Sequence, residues 1–468
     1  MGCSERRVRC QTAAVNPSST PEPDTTAPRP GPDRGPSLPV TTPVANPVTV
    51  PDDLPALRRR VSTALISSQI LGGLGVAIGV ALAAVLAEEV SGTGSLAGLA
   101  PTATVAGTAL LALPLAALMN ARGRRAGLVL GYLIGAVGAG VIVVAGVVDS
   151  FPLLLLGMAA FGAATAANLQ ARFAAADLAE PGHRARAISH VVWATTVGAV
   201  LGPNIAGPAG ASAAPLGVPE TAGPFLWAAG VFLAAAGVVA LLMRPDPLLV
   251  ARALSPGDAA PGRGGTLRVG FAAVSASPRA RLALVTVALG HTVMVGVMAM
   301  TPVHLGHHGA GIELIGLVIS GHIAGMYAFS PVMGWLSDRL GRDAVIGLSV
   351  VLLACAALLA GTSGGAHGRT AAGLFLLGLG WSAALVAGSA LLTESVPKAA
   401  QAAAQGLSDL VMSAAAGVGG ALAGLVVAAA GYAWLNLWAA LLLLPLSALT
   451  LLTRRADRST APRRDRGL

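Results

Sequence analysis

Between His291 and Met326 the chain gathers its softest donor atoms. Five of the eight His (His291, His304, His307, His308, His322) and four of the ten Met (Met294, Met298, Met300, Met326) fall here. Two spacings stand out, Met294-xxx-Met298 and His322-xxx-Met326. Residues four apart on a helix share one face, a turn apart. Both pairs lie inside long apolar runs, where an imidazole is costly without a partner. Thioether and neutral imidazole are soft ligands, suited to Cu(I) more than to Mg or Ca. His291 shares the face of Met294 and offers a further ligand or a proton acceptor. His304, His307 and His308 follow in a short loop, where they could collect metal. The plainer readings are a space-filling thioether, an imidazole bonded to a neighbouring backbone, and a solvated turn.

The elements that must hold these residues are set by composition. The 468 residues are 54% hydrophobic and 11% charged, with mean hydropathy +0.73. Apolar runs of 18 or more residues recur, each a membrane-span candidate. They fall at roughly 62–87, 95–118, 126–148, 151–175, 186–208 and 223–243, then 281–303, 312–335, 343–361, 370–393, 404–430 and 432–453. The net charge of +9 does not point to nucleic acid, because Arg sits between the apolar runs and in the tails. Loops on one side carry Arg122, Arg124, Arg125, Arg184, Arg186, Arg339, Arg342 and Lys398. Loops on the other carry Glu88, Glu89, Asp149, Glu220 and Glu313, with Arg369 the basic exception. This is a positive-inside pattern, placing both termini in the cytoplasm and the chain in the plasma membrane.

The expected fold is an all-α membrane protein of twelve transmembrane helices in two six-helix bundles. Residues 1–57 form a Pro-rich tail too polar to order itself. It has no apolar signal core, and Arg6 argues against myristoylation. The N-terminal bundle spans 58–243, a polar cytoplasmic linker 244–280, the C-terminal bundle 281–453 and a basic tail 454–468. Cys3 and Cys10 lie in the tail and Cys355 in a span, so no disulfide framework is read. The loop AALMNARGRRAGL after the second span aligns with GWLSDRLGRDAVI after the eighth. Asn120 falls on Asp338, Gly123 on Gly341 and Arg124 on Arg342, a parallel duplication.

GWLSDRLGR (334–342) resembles the loop motif of the major facilitator superfamily. The residues that carry the likeness are Gly334, Asp338, Arg339, Gly341 and Arg342, which that resemblance makes a conformational latch. The N-terminal copy departs from it at Ala116 and Asn120. GAVLGPNIAG (198–207) resembles a Gly-Pro motif of exporters in the same superfamily. Met294-xxx-Met298 with His322-xxx-Met326 resembles the paired motifs of the CcoA-like copper importers, which implies these four residues as copper ligands. Distant members of that group resemble riboflavin importers.

Counting from the outer ends of spans seven and eight at a helical rise of about 1.5 Å per residue, Met294 and His322 lie ~14 Å and ~15 Å deep, near mid-bilayer. Transporters built from repeats bind their cargo at that level. No nucleotide-binding Gly-rich loop with Lys is present, so a gradient supplies the energy. No nucleophile–base pair or catalytic metal spacing suggests an enzyme, and no cofactor is implied. The expected partners are the lipid bilayer and a small solute or metal ion, copper foremost, with the chain a monomer. The competing expectations are import of an organic nutrient such as riboflavin and export of a drug or metabolite.

Overall fold

The computed structural model describes residues 53–93, 96, 98–180, 182–254 and 266–460. The described chain is almost wholly helical. α1 (Leu54–Ser91), α2 (Leu99–Arg122), α3 (Arg124–Val147), α4 (Phe151–Asp177), α5 (Arg184–Ala213) and α6 (Gly223–Leu242) form the first bundle. Two short helices follow, α7 (Pro247–Ala253) and α8 (Thr266–Ala276). The second bundle holds α9 (Pro278–His307), α10 (Ile312–Ile323) continuing into α11 (Ser330–Leu340), and α12 (Arg342–Gly361). It is completed by α13 (His367–Ser395), α14 (Gln401–Ala430) and α15 (Tyr432–Leu441) running into α16 (Leu443–Thr460). Among the described residues, eleven spans are long and apolar enough to cross a bilayer by length and composition, and α5 makes a twelfth.

Three expectations about boundaries change. α1 starts at Leu54, before the expected bundle edge at 58. Asp53 caps it by accepting from the Ala56 amide at 2.8 Å, and a Pro in the first turn has no amide to leave unpaired. The region between the bundles is not simply a polar strap, since α7 and α8 are helical within it. Asp246 starts α7 by accepting from the Leu248 and Leu249 amides. Span eight is one apolar span, Leu314–Leu340, but its α geometry is interrupted. A π turn at Ala324–Ala328 separates α10 from α11. Pro331 has no amide to give the Tyr327 carbonyl, and the Ser330 hydroxyl reaches that oxygen at 2.7 Å instead. The tail expected over residues 1–57 lies outside the described residues as far as residue 52, as does the end of the basic tail from 461.

Most spans are apolar all round, as helices between lipid and protein must be. Leu110, Val137, Leu156, Leu241 and Leu358 are exposed on the outer surface, where hydrocarbon replaces water. α13 is enclosed along most of its length; its Gly, Ala and Ser let neighbours approach closely. Across the bundles, α2 packs on α14 and α5 on α11.

Candidate functional site

At mid-depth the second bundle presents a cluster of rings. Trp381, in the middle of α13, donates its indole N–H to His291 Nδ1 on α9 at 2.8 Å. Tyr327, in the π turn, meets Trp381 edge-on with centroids 5.5 Å apart, and His291 lies 6.0 Å from it. The π turn re-aims span eight at this level, which brings Tyr327 to the cluster. Because Nδ1 of His291 accepts, its proton sits on Nε2. The first bundle supplies amide and hydroxyl pairs instead. Gln69 donates to Thr195 Oγ1 at 2.9 Å, and Tyr132 donates to Asn168 Oδ1 at 2.8 Å.

The soft donors of spans seven and eight are distributed around this wall. Met294 and Met326 are buried in the core of the second bundle, with Met298 at its edge. His322 is fully buried; its Nδ1 lies 2.8 Å from the Leu374 carbonyl, so Nδ1 carries the proton. Its Nε2 is buried without a partner. α10 packs chiefly on α13 and α9 on α13 and α14, while contact between α9 and α10 is slight. At the end of α9, His304 stacks on Tyr432 and meets His308, His308 Nδ1 bonds the His304 carbonyl, and His307 is exposed. Among the described residues, no three His, Cys, Asp or Glu side chains gather as a metal cage.

Toward the Arg-rich face, the bundles are tied together by a buried polar network. Arg172 on α4 donates to Asp409 on α14 at 2.6 Å and to Ser389 on α13 at 3.1 Å. Gln170 donates to the other Asp409 oxygen at 2.7 Å. Arg124 pairs with Asp177 at 2.8 Å and donates across the interface to Gln405. At the loop motif, the Asp338 carboxylate accepts from the Ala185 and Arg186 amides at 3.2 and 3.0 Å, the free N-terminus of α5. Arg342 holds that carboxylate at 2.5 Å and pairs with Glu394 at 2.9 Å. Gly334 lies so close to α5 that a Cβ there would sit 2.2 Å from Ser189 Oγ, and Gly341 adopts φ +90° to turn the chain. Arg339 stands outside this contact, its guanidinium 5.2 Å over the Trp335 ring.

The sequence reading missed Trp381, Tyr327 and Arg172. A lone guanidinium inside span four was the available signal, since intramembrane charges need partners. The rings were harder to find, because no spacing joins residues from three different spans.

Twelve spans in two bundles, tied at one end and carrying ring and amide groups midway along the helices, describe a membrane carrier. The Major Facilitator Superfamily pattern matches residues 65–313 and 305–467, and the chain belongs to that family as one of its multi-pass membrane transporters. It is 39% identical over 386 residues to the uncharacterized MFS-type transporter YdeG of Bacillus subtilis (strain 168), covering 82% of this chain and 89% of that one. It is 30% identical over 402 residues to the riboflavin transporter RfnT of Brucella anthropi, covering 85% and 96%. In fold it is similar to a bacterial homologue of the iron transporter ferroportin in an outward-facing state. That likeness has TM-score 0.66 and 16% identity, covering 84% of this chain and 99% of that one.

Proposed function

We propose that this transporter takes up a planar organic solute of riboflavin's kind across the plasma membrane, acting as a monomer with both termini in the cytoplasm. The observation that carries this reading is the Tyr327–Trp381–His291 ring cluster at mid-depth. A flat heteroaromatic solute stacks on such rings, and His291 Nε2–H gives one directional hydrogen bond. The 30% identity to a riboflavin transporter supports the same class. The polar ties at the Arg-rich face support a cycle in which that end is closed while the site loads from the other side.

The test is uptake of radiolabelled riboflavin by vitamin-auxotrophic cells expressing the protein. Trp381→Leu should raise KM about tenfold, the equivalent of ~1.4 kcal/mol of lost ring contact. Tyr327→Leu should raise it less, and Met294→Leu with Met298→Leu should leave it unchanged. Uptake no higher than in empty cells would remove the riboflavin reading.

A second reading, copper import through Met294, Met298, His322 and Met326, rests on His322. Its Nδ1 is fixed by the Leu374 carbonyl and its Nε2 is buried and unpartnered, the pattern of an oriented imidazole ligand. Radioactive copper uptake abolished by both His322→Ala and Met294→Ala would establish it. Equal uptake in both variants and wild type would end it. Resistance phenotypes with indifference to either cargo would favour export.

A further inference from the structure

At the Arg-rich face of the first bundle, a groove of about 610 Å³ opens between α2, α3, α6 and α7. Arg122 ends α2, Arg125 lies in the first turn of α3, and Arg244 follows α6; all three line it. Arg125 and Arg244 each donate Nε to the same acceptor, the Ala240 carbonyl, at 3.0 and 3.1 Å. That carbonyl is in the last turn of α6, where backbone oxygens lack helical partners. Two guanidinium groups are therefore held side by side. A helix C-terminus offers only about half a negative charge to offset them.

The carboxylate that lines the groove is already engaged. Asp246 lines the groove, but it accepts from the Arg125 amide at 2.7 Å and from the Leu248 and Leu249 amides of α7. No ion pair joins it to Arg122, Arg125 or Arg244 among the described residues. The Nη groups of Arg125 and Arg244, and all of Arg122, have no hydrogen bond there either. Three cations against one carboxylate and a helix end leave a surplus of positive charge.

The same groove continues into an apolar wall. Leu118, Val129, Leu130 and Leu133 line it, and Leu130 and Leu133 are about two-fifths exposed on the surface that faces lipid. Positive charge at the edge of the span and an apolar wall beside it match a phosphate headgroup with acyl chains. A soluble anion would have no use for the second feature. We propose that this groove is a binding site for an anionic phospholipid, with Arg122, Arg125 and Arg244 on the headgroup phosphate and α3 against the acyl chains. Basic pockets between spans recognise headgroups in this way. Arginine suits the task because its spare Nη donors fork onto phosphate oxygens.

Native mass spectrometry of the detergent-purified full chain tests this. Phosphatidylglycerol, phosphatidylcholine and inorganic phosphate are titrated in turn. Phosphatidylglycerol should bind at least fivefold more tightly than phosphatidylcholine. Arg122→Gln should weaken it roughly fivefold, the usual worth of one basic residue at an anionic membrane surface. Arg125→Gln with Arg244→Gln should weaken it further. Arg122 is exposed and its side chain makes no hydrogen bond or ion pair among the described residues, so its variant keeps the test valid if the double variant does not fold. Arg281→Gln, on exposed α9 surface, should bind as wild type. Equal affinity for the two lipids, equal loss in Arg281→Gln, or displacement of the lipid by equimolar inorganic phosphate would each overturn the proposal.

Discussion

The two loops related by the internal repeat fold alike and hold the bundles together differently. Gly123 and Gly341 take φ of +91° and +90°. The arginine after each enters the next helix and pairs with an acid at the end of the fourth span of its own half. These pairs are Arg124 with Asp177 and Arg342 with Glu394. The difference that matters for the latch is at Asn120 and Asp338. Asp338 places a carboxylate on the N-terminus of α5 in the opposite bundle. Asn120 is held in its own half by Arg252, and the tie across to α14 passes to Arg124 and Gln405. The Asp338 carboxylate takes two amide bonds at a helix N-terminus, whereas the Arg124 guanidinium makes one bond to a neutral side-chain amide. The duplicated scaffold thus keeps one charged latch and one softer one.

Asp338→Asn breaks the comparison at its strong side and carries the largest expected effect. Asp338 and Arg342 are nearly buried, at 4% and 7% side-chain exposure. Removing the charge weakens two amide bonds at α5 and leaves Glu394 as the one carboxylate paired with Arg342 among the described residues. Charged hydrogen bonds contribute about 1.5–3 kcal/mol, so the Arg-rich end should open ~10- to 100-fold more often. Ser408 is a suitable reporter. It is fully buried on α14 and its hydroxyl has no partner, so Ser408→Cys loses no hydrogen bond. With the native cysteines replaced by serine, its labelling by an impermeant thiol reagent in inside-out vesicles should speed up by that factor.

Gln405→Leu tests the softer side. Arg124 keeps Asp177 and Gln170, at 2.8 and 3.3 Å, so it is not stranded. The loss is one cross-bundle bond from a charged guanidinium, about 1.5 kcal/mol, and Ser408→Cys labelling should rise about tenfold, the low end of the range for Asp338→Asn. An effect as large as that of Asp338→Asn would mean the two loops contribute equally.

The repeat itself was readable before the structure, because glycine and arginine at matching offsets mark the same turn. The spans were readable from apolar length and from arginine on one side. What the sequence hid is pairing over distance. Arg172 and Asp409 lie 237 residues apart and meet only because α4 and α14 come from different bundles. Trp381, Tyr327 and His291 come from three spans, and His291 alone drew notice for its chemistry. Span eight read as continuous because apolar length says nothing of its ladder; the Ser330-Pro331 pair was the one local sign of the break. α7 and α8 were hidden because short helices in a polar segment leave no long periodic run.

Asn120→Asp sharpens the comparison from the other direction and should have the smallest effect. The new carboxylate would stand where the superfamily pattern has one, in a loop that shares its glycine and arginine with its partner. Its nearest cation is Arg252, already bonded to the Asn120 carbonyl at 2.8 Å. Both residues are partly exposed, so the added charge should contribute less than about 1 kcal/mol. That gain falls between α2 and α7 and does not reach α14. Thermal stability should therefore rise slightly while Ser408→Cys labelling stays within about twofold of its parent. A tenfold slowing would show that the carboxylate engages the start of α14, whose first residues have no side-chain cap. The N-terminal loop would then be a latch lacking only its charge. If labelling is unchanged, the capture of residue 120 by Arg252 has committed this loop to holding its own bundle together.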